Sequence, residues 1–190
     1  MSSTIKATSL LKLTISLFLI INCACTEVTS QLEQEANRNF RPFVGTIRVT
    51  VDNVLERITR NGRSLNLAGA GDLNDWTKLK TVNVNNLRAG DFIAITGRNN
   101  GPFSVNNPAG ILATITFRNR FGRVRTISTS NRWRCNNRRA REQGRNGNPN
   151  TIWFRVNNGP IAGINNNAQW IWSRNLAAPR VTCSITLPNF

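Results

Sequence analysis

Val181-Thr182-Cys183-Ser184-Ile185-Thr186-Leu187 alternates apolar and polar residues without a break. A period of two puts successive side chains on opposite faces of a β-strand, so this run predicts a strand with Val181, Cys183, Ile185 and Leu187 turned inward. The same period recurs upstream. Ile47, Val49 and Val51 alternate with Arg48, Thr50 and Asp52, and Val82 and Val84 with Asn83 and Asn85. Ile111, Ala113, Ile115 and Phe117 share a face, as do Ile152, Phe154 and Val156, and then Trp170 and Trp172. Phe92-Ile93-Ala94-Ile95 is a continuous apolar run, the pattern of a strand covered on both faces. Val124 and Ile127 mark a weaker strand.

Turn signals separate these runs. Asn61-Gly62 follows Ile58-Thr59-Arg60 and suits a tight hairpin. Asn99-Asn100-Gly101-Pro102, Asn107-Pro108-Ala109-Gly110, Asn146-Gly147-Asn148-Pro149 and Asn157-Asn158-Gly159-Pro160 punctuate the rest. No long amphipathic helix competes. Short strands with regular turns predict an all-β fold, a two-sheet antiparallel sandwich of the jelly-roll kind.

The first 25 residues read as a secretory signal. Lys6 and Lys12 precede an apolar stretch, Leu13 to Ile21, that is too short to span a bilayer, and Cys23-Ala24-Cys25 supplies small residues for cleavage. Residues 26–45, with Glu27, Glu33, Glu35 and Pro42, lack strand or helix periodicity and read as an N-terminal arm, which leaves 46–190 as the sandwich domain. The expected product is a secreted, extracellular protein with no transmembrane segment. Cys135 and Cys183 are then the two mature cysteines, and in an oxidising compartment they are each other's expected partner. Because Cys183 is on the inward face of its strand, Cys135 is expected to reach it from the other sheet or from a covering loop.

Charge is the strongest compositional signal. The 190-residue chain carries +16, with 21 Arg against 4 Lys. From Phe92 to Phe190 there are 14 Arg and one acid, Glu142, whereas Thr26 to Asp91 holds nine bases against eight acids. Arginine binds sulfate, phosphate and carboxylate through two parallel hydrogen bonds, so a one-sided excess of it favours a polyanionic partner. The stretch Arg132 to Arg145 reads as a cationic insertion with almost nothing to bury, and Arg138, Arg139, Arg141 and Arg145 are its candidate polyanion-binding residues. The plainer reading of such a stretch is a solvated loop.

The chain contains no His, which removes Ser-His-Asp and Cys-His catalysis, His-based zinc sites and the usual neutral-pH general base. Paired carboxylates could still cleave glycosides. Beyond the arm the only candidates are Asp52, Glu56, Asp72, Asp75, Asp91 and Glu142. Asp72 and Asp75 fall in a turn-like stretch, where such a pair is more often structural or a calcium or ligand contact. No Gly-rich phosphate loop opens a helix. The chain is therefore expected to bind rather than catalyse, with no cofactor and no metal. Asn occurs 28 times, yet never in an Asn-x-Ser/Thr sequon, so Asn glycosylation is not expected.

A resemblance rests on several of these pieces in order: Gly71-Asp72-Leu73-Asn74-Asp75-Trp76, Leu87-Arg88-Ala89-Gly90-Asp91-Phe92-Ile93-Ala94-Ile95, Asn99, Pro108-Ala109-Gly110-Ile111-Leu112-Ala113, and Ser128-Thr129-Ser130-Asn131-Arg132-Trp133-Arg134-Cys135. Across residues 45–187 the chain resembles the galactose-binding-like β-sandwich, an accessory sugar-binding jelly roll. The arginine-rich second half and the absence of an attached catalytic domain depart from that family. The resemblance implies the fold and a sugar ligand, with Asp72, Asp75, Trp76, Asn99 and Trp153 as candidate contacts. The family pattern also allows Trp76 to fix its loop instead. Trp153 faces away from Ile152, Phe154 and Val156 and is the best exposed indole on this reading, unless a second sheet covers it. Trp133 is expected to pack beside the disulfide.

Two functions remain. One is an extracellular matrix component, such as a shell or skeletal biomineral protein, held by Arg to acidic polysaccharide, glycan or acidic matrix protein rather than to nucleic acid. The other is a soluble lectin with a defined sugar pocket. Membrane binding for defence is a weaker third, because no amphipathic helix is present.

Overall fold

The computed structural model describes residues 43–104 and 107–189. The expected signal at 1–25 and residues 26–42 of the expected arm lie outside them. The described chain is a sandwich of two antiparallel sheets. The first sheet holds β1 (Val44–Asp52), β4 (Lys80–Asn85), β6 (Gly110–Arg118), β7 (Val124–Ser128), β10 (Arg141–Arg145) and β11 (Gln169–Trp172). The second holds β2 (Val54–Arg60), β3 (Arg63–Ser64), β5 (Phe92–Arg98), β8 (Arg134–Cys135), β9 (Arg138–Arg139) and β12 (Arg180–Thr186). The last two residues of the expected arm, Val44 and Gly45, already belong to β1.

The spatial order is β10-β11-β6-β1-β4 in the first sheet, with β7 beside β6, and β3-β2-β5-β12-β8-β9 in the second. The chain changes sheet at every connection except β2–β3, β6–β7, β8–β9 and β10–β11. The inward residues are those of the alternation. Ile47, Val49, Val51, Ile111, Ala113, Ile115 and Phe117 meet Ile93, Ile95, Val181 and Cys183, all fully buried. Phe92 departs from the pattern: it points outward and is 44% exposed, so β5 is not covered on both faces along its length.

Cys135 and Cys183 are bonded, and Trp133 is buried in the same core cluster, its indole N–H donating to the Ser128 carbonyl. The geometry corrects one expectation. β8 pairs with β12, and Cys135 lies directly opposite Cys183 in the register of a single sheet, with Cα atoms 4.0 Å apart. Neither the other sheet nor a covering loop supplies the partner.

The stretch Ile152–Asn157, whose period of two predicts a strand, is instead a helix, α1. Its ends explain why. Thr151 is in an extended conformation and its side chain accepts the Phe154 amide, and Asn158 closes the helix in the left-handed region. The helix lies over the outer face of the first sheet. There Trp153, Ile161, Ile164 and Ala168 cover Leu112 and Trp170 in a second, smaller apolar cluster. Trp170 and Trp172 consequently do not share one environment, because Trp172 belongs to the main core.

Gly110 sits where this layer meets β6. A Cβ there would fall 2.7 Å from Trp170 Cε3 and 3.1 Å from Trp153 Cζ2. Those two rings are stacked, with centroids 4.5 Å apart, and have little room to move. Gly110→Ala is expected to destabilise the fold by about 1–3 kcal/mol through overpacking, read as a lower urea midpoint. An unchanged midpoint would mean that the indole pair repacks freely.

Candidate functional site

The sugar contacts implied by sequence gather only in part, and what gathers is core. In the loop after β3, Asp72 Oδ1 accepts the Asn74 amide, and Asp75 Oδ1 accepts both the amide and the hydroxyl of Thr77. The Thr77 hydroxyl bond is the main reason the Asp75 carboxyl is held below its usual range. Lys80, fully buried, donates to the carbonyls of Asp75 and Lys78, and burial holds its ammonium below the ordinary lysine range. Trp76 is half-buried, edge-on to Trp170 at 6.3 Å, and its carbonyl accepts the Thr50 hydroxyl. The loop is thus braced from beneath, with the half-buried Trp76 ring packed edge-on against Trp170.

Trp153 is not exposed. It is buried, stacked on Trp170, with its indole N–H donating to Asp52 Oδ2 at 2.9 Å. A short helix that turns its single buried residue inward overrides the strand reading that exposed this ring. Asn99 is buried as well. Its amide donates to the Pro179 carbonyl, and its side-chain oxygen has no partner among the described residues. Trp76 and Trp153 therefore meet on Trp170 without leaving an open stacking platform. Asp72 stays on the exposed side of its loop.

Asp52 is the residue that sequence reasoning counted but did not single out. Burial pushes its carboxyl up to about 6, although Trp153 and Asn53 both donate to it. The other carboxylates are also engaged. Glu56 accepts from Arg180 and Arg98, and these bonds, that of Arg180 foremost, hold it below its usual range. Asp91 is buried, which alone would raise it. The Arg88 amide, Arg60 and Asn61 nevertheless bring it below the usual range. Glu142 accepts the Asn131 amide at 2.7 Å. All six carboxylates of the described residues thus hold the fold. None forms an ion pair with the arginines between Arg132 and Arg145.

That arginine segment is exposed, but it is built into strands β8, β9 and β10 rather than inserted as a loop. Asn136 and Asn137, both with positive φ, turn β8 into β9, and buried Ala140 carries the chain from the second sheet into β10 of the first. Arg138 and Arg139 are exposed on the outermost strand of one sheet, and Arg141 and Arg145 on the outermost strand of the other. Charges in these places also oppose edge-to-edge pairing with another chain.

Beside this segment lies a cleft of about 700 Å³ between β7 and the last residues of β12. Its apolar lining includes Ile127 and Ile185, and its polar lining includes Ser130, Ser184, Arg132 and Arg134. One wall, the loop through Asn131, is clamped on both sides: Arg139 Nε donates to the Asn131 carbonyl at 3.3 Å, and Glu142 takes its amide. No carboxylate lines the cleft. Guanidinium groups and hydroxyls together suit an anionic, hydroxyl-bearing ligand. A second cleft of about 540 Å³ is lined by Arg145 and by the amides of Asn148, Asn166, Asn167 and Gln169. Among the described residues no group of three His, Cys, Asp or Glu could hold a metal, and no helix is long and apolar enough to cross a membrane. No family model, curated protein or solved structure matches the chain.

Proposed function

We propose that this chain is a secreted, non-catalytic extracellular binding protein for acidic polymers: acidic polysaccharide or acidic matrix protein, as in a shell or skeletal matrix. The observation that carries the reading is the division of labour among charges. The described carboxylates are engaged in the fold, while Arg138, Arg139, Arg141 and Arg145 stand exposed on two sheet edges without an ion pair among the described residues. The donor-lined cleft lies beside them. The disulfide supports secretion, since such bonds persist in oxidising compartments. The repeated crossing between sheets supports a jelly roll of the galactose-binding-like kind. Fold likeness alone carries no ligand.

Binding driven by arginine releases counterions, so affinity falls steeply with salt; the rule is calibrated on nucleic acid, and its direction transfers to other polyanions. Changing Arg138, Arg139, Arg141 and Arg145 together to Gln is expected to weaken heparin binding roughly tenfold, at about 0.3–0.5 kcal/mol for each exposed contact. The variant should elute at lower salt with an unchanged circular dichroism spectrum. Elution at the wild-type salt concentration would reduce these residues to edge protection.

A soluble lectin is the second reading, and the amide-lined cleft favours it, because amides donate to and accept from sugar hydroxyls. Its signature is retention that resists salt and yields to free sugar.

A further inference from the structure

Three of the five exposed large hydrophobic residues of the described chain lie at one end of the first sheet. Phe121, 65% exposed, is at the tip of the β6–β7 hairpin, and Val124, 52% exposed, begins β7. Val124 pairs with Arg118 on one edge of β6 and Arg88 bridges to Arg118 on the other, while Val44, 49% exposed, begins β1 just beyond the last β1–β6 pair, Thr46 with Thr116. Residues level with one another across a sheet point to the same face, so Arg88, Arg118 and Val124 form one row with Phe121 beyond it and Val44 near its β1 side. The half-buried ring of Phe43 continues the patch, with the Arg118 guanidinium 4.9 Å from its centroid.

This apolar end is set among cations. Arg88 bridges to Arg118, Arg120 lies 4.6 Å over the Phe121 ring, and Arg123 is exposed next to Gly122. Residues 117–128, Phe-Arg-Asn-Arg-Phe-Gly-Arg-Val-Arg-Thr-Ile-Ser, contain no acid. The tip is exposed from Arg120 to Val124. Its rigidity comes from Asn119, whose side-chain oxygen accepts the amides of Phe121 and Arg123.

We infer that this hairpin tip docks on an anionic phospholipid surface, with Phe121 and the flanking valines entering the interface and the arginines meeting the headgroups. The choice between partners follows from the pairing of the two chemistries. A sulfated or carboxylated polymer satisfies arginine but offers no apolar phase for Phe121, Val124 and Val44. A bilayer boundary offers both, and basic residues with an aromatic among them are the pattern that binds it. The inference is independent of the acidic-polymer reading, because it uses another part of the molecule.

The test is co-sedimentation of the purified protein with vesicles of phosphatidylcholine alone and of phosphatidylcholine doped with phosphatidylserine, beside a heparin column. Wild type is expected to sediment with the doped vesicles only. Phe121→Ser, which keeps every charge, should lose about tenfold in vesicle affinity, as burial of most of a phenyl ring implies. Its heparin elution should not change. Arg120→Gln with Arg123→Gln should lose about fivefold per residue on vesicles. If wild type ignores phosphatidylserine vesicles, or if Phe121→Ser binds them as wild type does, the inference is wrong. In the second case the tip is an electrostatic patch that any acidic polymer could occupy.

Discussion

Replacing both Cys135 and Cys183 with Ala is expected to destabilise the protein by about 4 kcal/mol, the chain-entropy value for the 48-residue loop that the bridge closes. In a domain of this size that is a fall of roughly 10 °C in Tm. Two features add to the loss. Both half-cystines are buried in the main core, so the substitution also leaves a cavity. The bridge further anchors a hairpin whose strands, β8 and β9, are two residues each and reach the second sheet only through β12. Losing it should loosen Arg138 and Arg139 before the rest of the sheet melts, so heparin retention should fall at temperatures where the fold survives. An unfolding midpoint equal to that of wild type would contradict the prediction.

That hairpin shows where the sequence is transparent and where it is not. Alternation in 111–117 and 181–187 locates two central strands and their inward faces, although Ile185, counted inward, is only half-buried and lines the cleft beside β7. Asn61-Gly62 locates a turn, since both residues adopt the positive φ that this hairpin requires. The cross-strand disulfide is not legible, because β8 is too short to carry a period of its own. Ile152–Asn157 misleads outright. Its β-branched and aromatic residues mimic a strand, and the deciding signals are local: Thr151 as cap and Asn158 in the left-handed region. The abundance of Asn has a related cause. Every non-glycine residue with positive φ among the described residues, Asn61, Asn86, Asn136, Asn137 and Asn158, is Asn. Asn146 organises a buried loop by accepting the Ile161 amide and donating to the carbonyls of Ile161 and Ile164.

The candidate site divides in the same way. Arg138, Arg139, Arg141 and Arg145 are visible in sequence because a charge cluster is local to the chain. Their setting on the edges of two different sheets is not visible, since it depends on the crossing at Ala140. The cleft beside them joins β7, the loop at 130–132 and the end of β12, with mostly neutral lining residues from distant segments. No motif announces such a site. Trp153 reads as exposed from a strand period that the structure replaces with a helix, and its partner, Asp52, lies 101 residues away.

Asp52 supplies the second large effect, and its sign is opposite to that of the other shifted carboxylates. Its folded-state value near 6 lies above the ordinary 3.8, so the folded protein holds a proton there that the unfolded chain releases. Its contribution to stability is therefore fully present below about pH 4 and is lost as pH rises through 6. A shift of about two units corresponds to roughly 3 kcal/mol. Asp75, Asp91 and Glu56, held below their usual range, act the other way: their contribution is present above the ordinary carboxylate range and fades in acid. The whole-protein profile mixes both, so the measurement is a difference. Asp52→Asn keeps an oxygen to accept the Trp153 indole N–H but cannot ionise. The variant is expected to match wild type near pH 4 and to exceed it by up to about 3 kcal/mol by pH 8, with the gain developing between about pH 4 and pH 6. Urea unfolding across that range reads it directly. A difference that does not vary with pH would mean that Asp52 titrates normally, and that its burial beneath the Trp153–Trp170 stack does not disfavour its charge.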